Sequence, residues 1–482
     1  MDKKITAIQD FPPVVAVLGH VDHGKTTLLD TIRKTSVAAR EHGGITQKIG
    51  ASSVEVEHEG GKRRITFIDT PGHEAFAKMR GRGAQAADIG LLIVSSVDGV
   101  MPQTKESISL LKTSNVPYIV VLTKSDDQGK NPEKTKQQLV KEEVMIEGYG
   151  GQVPIIEVSA KTGENIKELL DLILLVNDVH PKASTVNSSS SLSGIVIESK
   201  QDPKAGPKAT VVIKNGTISV RDDITTGEMS GRVRSLITDS GKQVQIASVG
   251  DAVEVLGFEK APTVGNTVYK GGETPSFAKA SEGKQEEDKR VLDGEEIISL
   301  ILVADTLGSL EAIIAALPPK INLISKKTGE ITSADVLLAK STGALVLGFN
   351  IKIRPDIAKL GSAEKVLVKN YSIIYEMLDE IKDVVDGKAL SLLEEVYGTA
   401  KVLASFPFDK QTVMGIKVLE GRVAKGDKVR IERGEKVIGE GYINSVRQAK
   451  VSTSKVEAGV EAGIIIGPSI DFTIGDMVIC HS

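Results

Sequence analysis

Residues 19–26 read "GHVDHGKT". The stretch follows "VVAVLG" (14–19), a short apolar run that reads as a buried strand, and precedes "TLLDTI", which has helical spacing. Gly-x-x-x-x-Gly-Lys-Thr between a strand and a helix is the pattern of a phosphate-binding loop. Backbone N–H groups of Asp22, His23, Gly24, Lys25 and Thr26, with Thr27 next in the turn, would cradle phosphate oxygens at a helix N-terminus. Lys25 would neutralise the β and γ phosphates, and the Thr26 hydroxyl would bind Mg²⁺.

Working outward, "DTPGH" (69–73) follows the next strong strand, "RRITFID". Asp69 at the strand end would hold the Mg²⁺ shell, and the Gly72 N–H would meet the γ-phosphate. Such a pair senses whether that phosphate is present. "GGIT" (43–46) offers a second sensor, with Thr46 drawn to Mg²⁺ only when a γ-phosphate holds its loop. "TKSD" (123–126) ends a further strand, and Asp126 can accept both N–H donors on the Watson–Crick edge of guanine. Adenine presents an acceptor at the matching ring nitrogen and would be rejected. Thr123 opens this motif, Lys124 would lie along the base plane, and "SAK" (Ser159, Ala160, Lys161) would place a backbone N–H on guanine O6. The expected ligands are therefore GTP and GDP with Mg²⁺. His73, next to the γ-phosphate sensor, is positioned to orient an attacking water.

Alternation of "IGLLIVSSV", "PYIVVLT" and "VPIIEVSA" with helix-like segments predicts a doubly wound parallel sheet over 13–180, behind an extension at 1–12. A Ser-rich linker covers 181–193, and short β-type runs over 194–271 predict a small antiparallel β-barrel. Residues 272–295 read as a charged linker and 296–370 as a small α/β domain, with "IISLILVA" and "ALVLGFN" as strands and "SLEAIIAAL" and "SADVLLAKS" as helices. Residues 371–397 predict a long connecting helix that Gly387 would bend or break, and 398–482 a second β-barrel. The barrels read as copies: "NGTISVRDDI" beside "EGRVAKGDKV", "GRVRSL" beside "GYINSV", "VGDAVEV" beside "AGVEAGI", "PTVGNTV" beside "FTIGDMV". The expected fold class is multidomain α/β plus β: a P-loop GTPase domain, a β-barrel, a small α/β/α domain, a connecting helix and a second β-barrel.

Composition sets bounds. The net charge of -4 and pI near 6.1 exclude a general basic coating for nucleic acid. One cysteine, Cys480, permits no disulfide framework within the chain and suits a reducing cytoplasm. The N-terminal residues lack the apolar core of a signal peptide, and no apolar run is long enough to span a membrane.

At its motifs the chain resembles bacterial-type translation initiation factor 2, a translational GTPase. The likeness runs through "GHVDHGKT", "GGITQKIGA", "DTPGHEAF", "MRGRGAQAADIGLLIVSSVDGVMPQTKES", "ADTLGSLEAI", "SADVLLA", "GFN" and "YSIIYEMLDEIKD". The middle α/β domain and the long helix separate this family from elongation-type and selenocysteine-type tRNA carriers. The resemblance implies ribosome-stimulated GTP hydrolysis, recruitment of formylmethionyl initiator tRNA to the small ribosomal subunit, and subunit joining. It implies a trigger from ribosomal RNA of the large subunit, in accord with the absence of a visible arginine finger, and a monomer off the ribosome. It makes His73 the water-positioning residue, with Val21 and Ile45 as an apolar gate. It makes Arg447, Glu461, Ala462 and Gly463 candidates for contact with the tRNA end. A scaffold that binds ribosome or tRNA with negligible turnover is the alternative. The chain departs from the family pattern at Thr123, where Asn is usual, at Lys48, where His is common, and at Ala462 and Ala449, where a Cys and an aromatic are expected. These last two changes put discrimination of the formyl group in question.

Overall fold

The structure is a computed structural model that describes residues 11–34, 49–180, 191–227, 229–271, 298–385, 396–408, 411–433, 436–448, 451–468, 470 and 472–481. Ile45, Thr46, Lys48, Ala449, Gly387 with its neighbours 386–395, and most of both linkers lie outside them. The chain divides into two compact units, Met1–Leu378 and Asp379–Ser482.

The first unit is organised on β1 (Val14–Gly19), whose residues are all buried. Period-2 alternation sends Val15 and Val17 to one face of the sheet, where Leu28 and Leu29 of α1 (Lys25–Arg33) and Leu169 and Ile173 of α5 (Ile166–Val179) meet them. Ala16 and Leu18 take the other face, with Ile108 and Leu111 of α3 (Pro102–Ser114) and Leu139 of α4 (Pro132–Lys141). Helices on both faces explain why the strand is apolar throughout.

The remaining elements of this layer are β2 (Gly50–His58), β3 (Gly61–Asp69), α2 (Ala77–Ala86), β4 (Ile89–Ser95), β5 (Tyr118–Thr123) and β6 (Ile155–Glu157). The sheet runs β2-β3-β1-β4-β5-β6. All pairings are parallel except that of β2 with β3. This corrects the expectation of a wholly parallel sheet. β2 is an edge strand whose exposed, charged residues hid its pattern, and it pairs as a hairpin with β3. In such sheets ligands bind beyond the carboxyl ends of the strands. The register puts Asp69 beside Val17 and Thr123 beside Ser95, so the loops after β1, β3, β5 and β6 open at one edge.

A closed six-stranded barrel follows, in the ring order Ser193–Asp202, Gly206–Asn215, Ala252–Phe258, Met229–Thr238, Asp223–Thr226, Thr267–Lys270. It is tied to the nucleotide sheet by Lys214 Nζ, 2.6 Å from the Asp88 carboxylate, and by the Thr66 hydroxyl, which donates to the Gly250 carbonyl at 2.7 Å. The third layer is a parallel sheet ordered Ile321–Thr328, Ile298–Ala304, Leu345–Phe349, Val368–Tyr371. It carries α6 (Leu307–Ala316), α7 (Ser333–Thr342) and α8 (Pro355–Glu364). The strands at 321–328 and 368–371 and helix α8 were not read from the sequence. α9 is described over Ile374–Val385, and a strand begins at Val396.

The second unit holds another closed ring: Val396–Phe408, Gln411–Ala424, Glu461–Gly467, Lys436–Gln448, Lys428–Arg433, Met477–His481. Strand for strand it repeats the first ring. The turns repeat as well. Gly216 and Gly421 both have φ of 65°, and Gly250 and Gly459 have φ of 84° and 87°, left-handed values that glycine tolerates best.

Candidate nucleotide site

The phosphate loop leaves β1 through a left-handed Asp22 (φ 59°) and reaches α1 at Gly24 (φ 83°), whose carbonyl accepts the Leu28 N–H at 2.9 Å. Left-handed residues within this loop aim its N–H groups toward a common point at the helix N-terminus. Lys25 is 6% exposed, and its ammonium donates to the carbonyls of Gly19, at 3.0 Å, and His20. Burial pushes it down to about 8, the Arg80 charge adds to the shift, and Asp69 and Asp22 oppose it. Thr26 is half-buried and Thr27 exposed on the first turn of α1. The Val21 N–H donates to Gln103 Oε1 on α3 at 3.1 Å.

The loop after β3 closes against this one. A Cβ built on Gly72 would lie 2.6 Å from Lys25 Nζ and 3.0 Å from the Val21 nitrogen, so a side chain at 72 would press on the phosphate loop and displace the Lys25 ammonium. His73 caps the short 3-10 turn Glu74–Phe76, its Nδ1 accepting the Ala75 N–H at 2.8 Å. A neutral imidazole bonded in this way carries its proton on Nε2. Burial holds its pKa below the ordinary imidazole value, with Glu74 opposing and Arg80 reinforcing. Asp69 is buried at the end of β3.

Sequence reasoning missed the residue that fastens this loop. Arg80 is fully buried on α2 and donates to the carbonyls of Pro71, at 3.0 Å, and His73. Its other edge meets the Glu106 carboxylate on α3 at 2.7 and 2.6 Å. Glu106 is 31% exposed, so its loss would leave the buried guanidinium with its carbonyl partners alone. The available signal was an arginine on an otherwise small and apolar helical stripe with Phe76, Met79, Gly83 and Ala84.

At the base side, Thr123 is buried and its hydroxyl donates to the His23 carbonyl at 2.7 Å. This bond joins the loop after β5 to the phosphate loop without an amide. Lys124 is left-handed (φ 59°) and its ammonium lies 3.0 Å from the Asp98 carboxylate. Asp126 Oδ1 accepts the Ser159 hydroxyl at 2.7 Å, a bond that lowers the Asp126 pKa, and Lys161 Nζ lies 4.0 Å from its other oxygen. The Ala160 carbonyl accepts the Thr31 hydroxyl of α1 at 2.9 Å. His23 accepts the Ser95 N–H at 3.3 Å, and burial above all lowers its pKa to about 4. The structure thus brings residues 21–27, 69–73, 123–126 and 159–161 to one sheet edge.

In the second unit Arg447 pairs in register with Gly463, and Glu461 and Ala462 with Lys417 and Ile416. Arg447 and Glu461 are exposed, whereas the Ala462 side chain is buried in the barrel core.

Residues 13–178 match the family model "Elongation factor Tu GTP binding domain", 191–271 "Elongation factor G domain 2" and 276–382 "Translation-initiation factor 2". The fold and the site therefore define a GTP-binding domain of the translation-factor class. The chain is 41% identical to translation initiation factor IF-2 of Aquifex aeolicus (strain VF5), over 98% of this chain and 61% of that protein. It is 42% identical to the namesake of Prochlorococcus marinus (strain MIT 9303), over 94% of this chain and 43% of that protein. The crystal structure of GDP-bound aIF5B from Aeropyrum pernix covers 97% of this chain, with 92% of its own matched, at 28% identity and a TM-score of 0.45. The chain is thus similar to translation initiation factor IF-2 over nearly all of its own length, and it spans 61% and 43% of the length of these two relatives.

Two outcomes follow from this geometry. A triphosphate beside Lys25 restores the proton that burial has loosened, so nucleotide binding takes up protons above the free-state value of about 8. Affinity measured by calorimetry should be level from pH 7 to 8 and fall between 8 and 9, and Lys25→Met should abolish the step. Thr123→Val keeps the shape but leaves the His23 carbonyl without its donor. At about 1–2 kcal/mol for a lost buried bond, nucleotide affinity should drop roughly tenfold by equilibrium titration.

Proposed function

We propose that the chain is a GTP-operated switch of translation initiation: it binds initiator tRNA, promotes its placement on the small ribosomal subunit and subunit joining, and hydrolyses GTP before release. The observation that supports this reading is the seating of Gly72 against Lys25 and Val21, with His73 the next residue along the chain.

GTP would be held by Asp22, His23, Gly24, Lys25, Thr26 and Thr27 at its phosphates. Thr123, Lys124, Asp126, Ser159, Ala160 and Lys161 would surround its base. Thr26 and Asp69, with Thr46 from its own segment, offer hydroxyl and carboxylate oxygens, the hard donors that suit Mg²⁺. Such an ion would complete its shell with phosphate and water oxygens. Mg²⁺ would neutralise charge shared between the β and γ phosphates.

In hydrolysis a water attacks the γ-phosphorus as the bond to the β–γ bridging oxygen breaks, and inorganic phosphate and GDP result. With Nδ1 engaged by Ala75, His73 acts as an Nε2–H donor that orients the water or stabilises charge. Val21 and Ile45 would form the apolar gate beside it. Arg447, Glu461, Ala462 and Gly463 would face the formylmethionyl end of the tRNA, with Ala462 acting through its backbone because its side chain is in the core. The working compartment is that of the ribosome, the cytoplasm. Among the described residues no helix is long and apolar enough to cross a membrane.

His73→Ala should cut ribosome-stimulated phosphate release about 10²–10⁴-fold with nucleotide affinity unchanged. Equal rates in a rapid phosphate-release assay would remove His73 from the reaction, and a negligible rate in the wild type itself would favour the scaffold alternative.

A further inference from the structure

The imidazole of His73 lies under an aromatic ring from a distant part of the chain. Tyr375, the second residue of α9, stands with its ring centroid 3.9 Å from that of His73, the planes tilted by 52°. Phe76 meets the imidazole edge-on at 5.9 Å. Nδ1 is occupied by the Ala75 N–H. Nε2 is buried and has no hydrogen-bond partner among the described residues. In this pose the one polar atom left for chemistry has no contact with solvent, so it cannot address a water in the phosphate cleft. To do so the ring must leave Tyr375.

Tyr375 is placed to control that movement. Tyr375 is 40% exposed, and burial first, then the charges of Glu74 and Asp22, raise the pKa of its hydroxyl. It follows directly on the last strand of the small α/β layer, Val368–Tyr371. The same layer grips the switch helix elsewhere. Arg82 of α2 lies 2.6 Å from Glu311 of α6, and a Cβ on Gly308 would come within 2.4 Å of the Met79 side chain. The layer that precedes Tyr375 is therefore bound to α2, the helix that follows His73 and its 3-10 turn.

We propose that Tyr375 is a positioning residue that stores His73 away from the phosphate cleft, so that hydrolysis waits until the small α/β layer lifts its tyrosine from the imidazole. This rests on the assignment of His73 to the hydrolytic step. The contact is through the ring face, so a phenylalanine should serve in its place and an alanine should not.

The test uses the full chain carrying Tyr375→Ala or Tyr375→Phe, with single-turnover GTP hydrolysis measured with and without ribosomes. In parallel the His73 ring is titrated by NMR, its resonance assigned with His73→Gln. Tyr375→Ala should raise the ribosome-free rate about three- to tenfold, since one aromatic contact is all that is released. Its His73 titration should move up toward the ordinary value of about 6.5 as the ring gains water, with Glu74 and Arg80 still beside it. Tyr375→Phe should follow the wild type in both. A merely structural tyrosine would lower the melting temperature of the Ala variant and leave the His73 titration in place. A ribosome-free rate equal to or below wild type, or an unmoved titration, overturns the proposal. If His73→Ala hydrolyses normally on ribosomes, the assignment of His73 fails on its own, and the titration still decides whether Tyr375 holds the ring.

Discussion

A buried ammonium is the constraint on which the site depends. Lys25 is almost without solvent, and its ammonium donates to two backbone carbonyls. Placing a cation there is unfavourable, which is why its proton is held so loosely. The arrangement becomes favourable when polyphosphate oxygens arrive. The apolar β1 behind it and the left-handed turn at Gly24 keep the amine at the mouth of the cleft, where it cannot escape to water. Asp69 and Asp22 relieve part of the strain, and Arg80 adds to it.

Arg80 gives that electrostatic tension a mechanical consequence. One guanidinium holds the carbonyls of Pro71 and His73 and the carboxylate of Glu106. The loop that approaches Lys25 is thereby fixed to both α2 and α3. Gly72 sits between the two charges, close enough that any side chain would collide with the phosphate loop. A terminal phosphate entering here meets a loop braced from behind. Under the proposed switch its arrival or loss would reach α2 through Arg80, and the Arg82–Glu311 pair joins α2 to the small α/β layer.

How much of this the sequence disclosed follows from range. The stretches at 19–26, 69–73, 123–126 and 159–161 are local patterns that follow apolar strands, and their meeting at one sheet edge was legible together with the order of the layers. The two barrels were legible as copies because their turns repeat Gly and Asp at matching places: Asp222 and Asp427 each accept an N–H three residues back. Elements without an apolar signature were not read. β2 alternates charged residues along a sheet edge, and the strand Ile321–Thr328 is only half-buried. Thr123, where the family pattern has Asn, ties to the phosphate loop through its hydroxyl and the His23 carbonyl, a contact that its motif alone does not report. Arg80 on Glu106 and Tyr375 on His73 are contacts made by folding, and no spacing rule reports them.

The central claim is that a terminal phosphate at Lys25 holds the 70–76 loop and that its loss releases it. Hydrogen exchange at the amides of Gly72 to Phe76, compared between the complexes with GDP and with a non-hydrolysable GTP analogue, tests this most directly. The account predicts clearly slower exchange in the triphosphate complex at those amides, with the β1 amides alike in both. Identical exchange through the loop in the two complexes would contradict it.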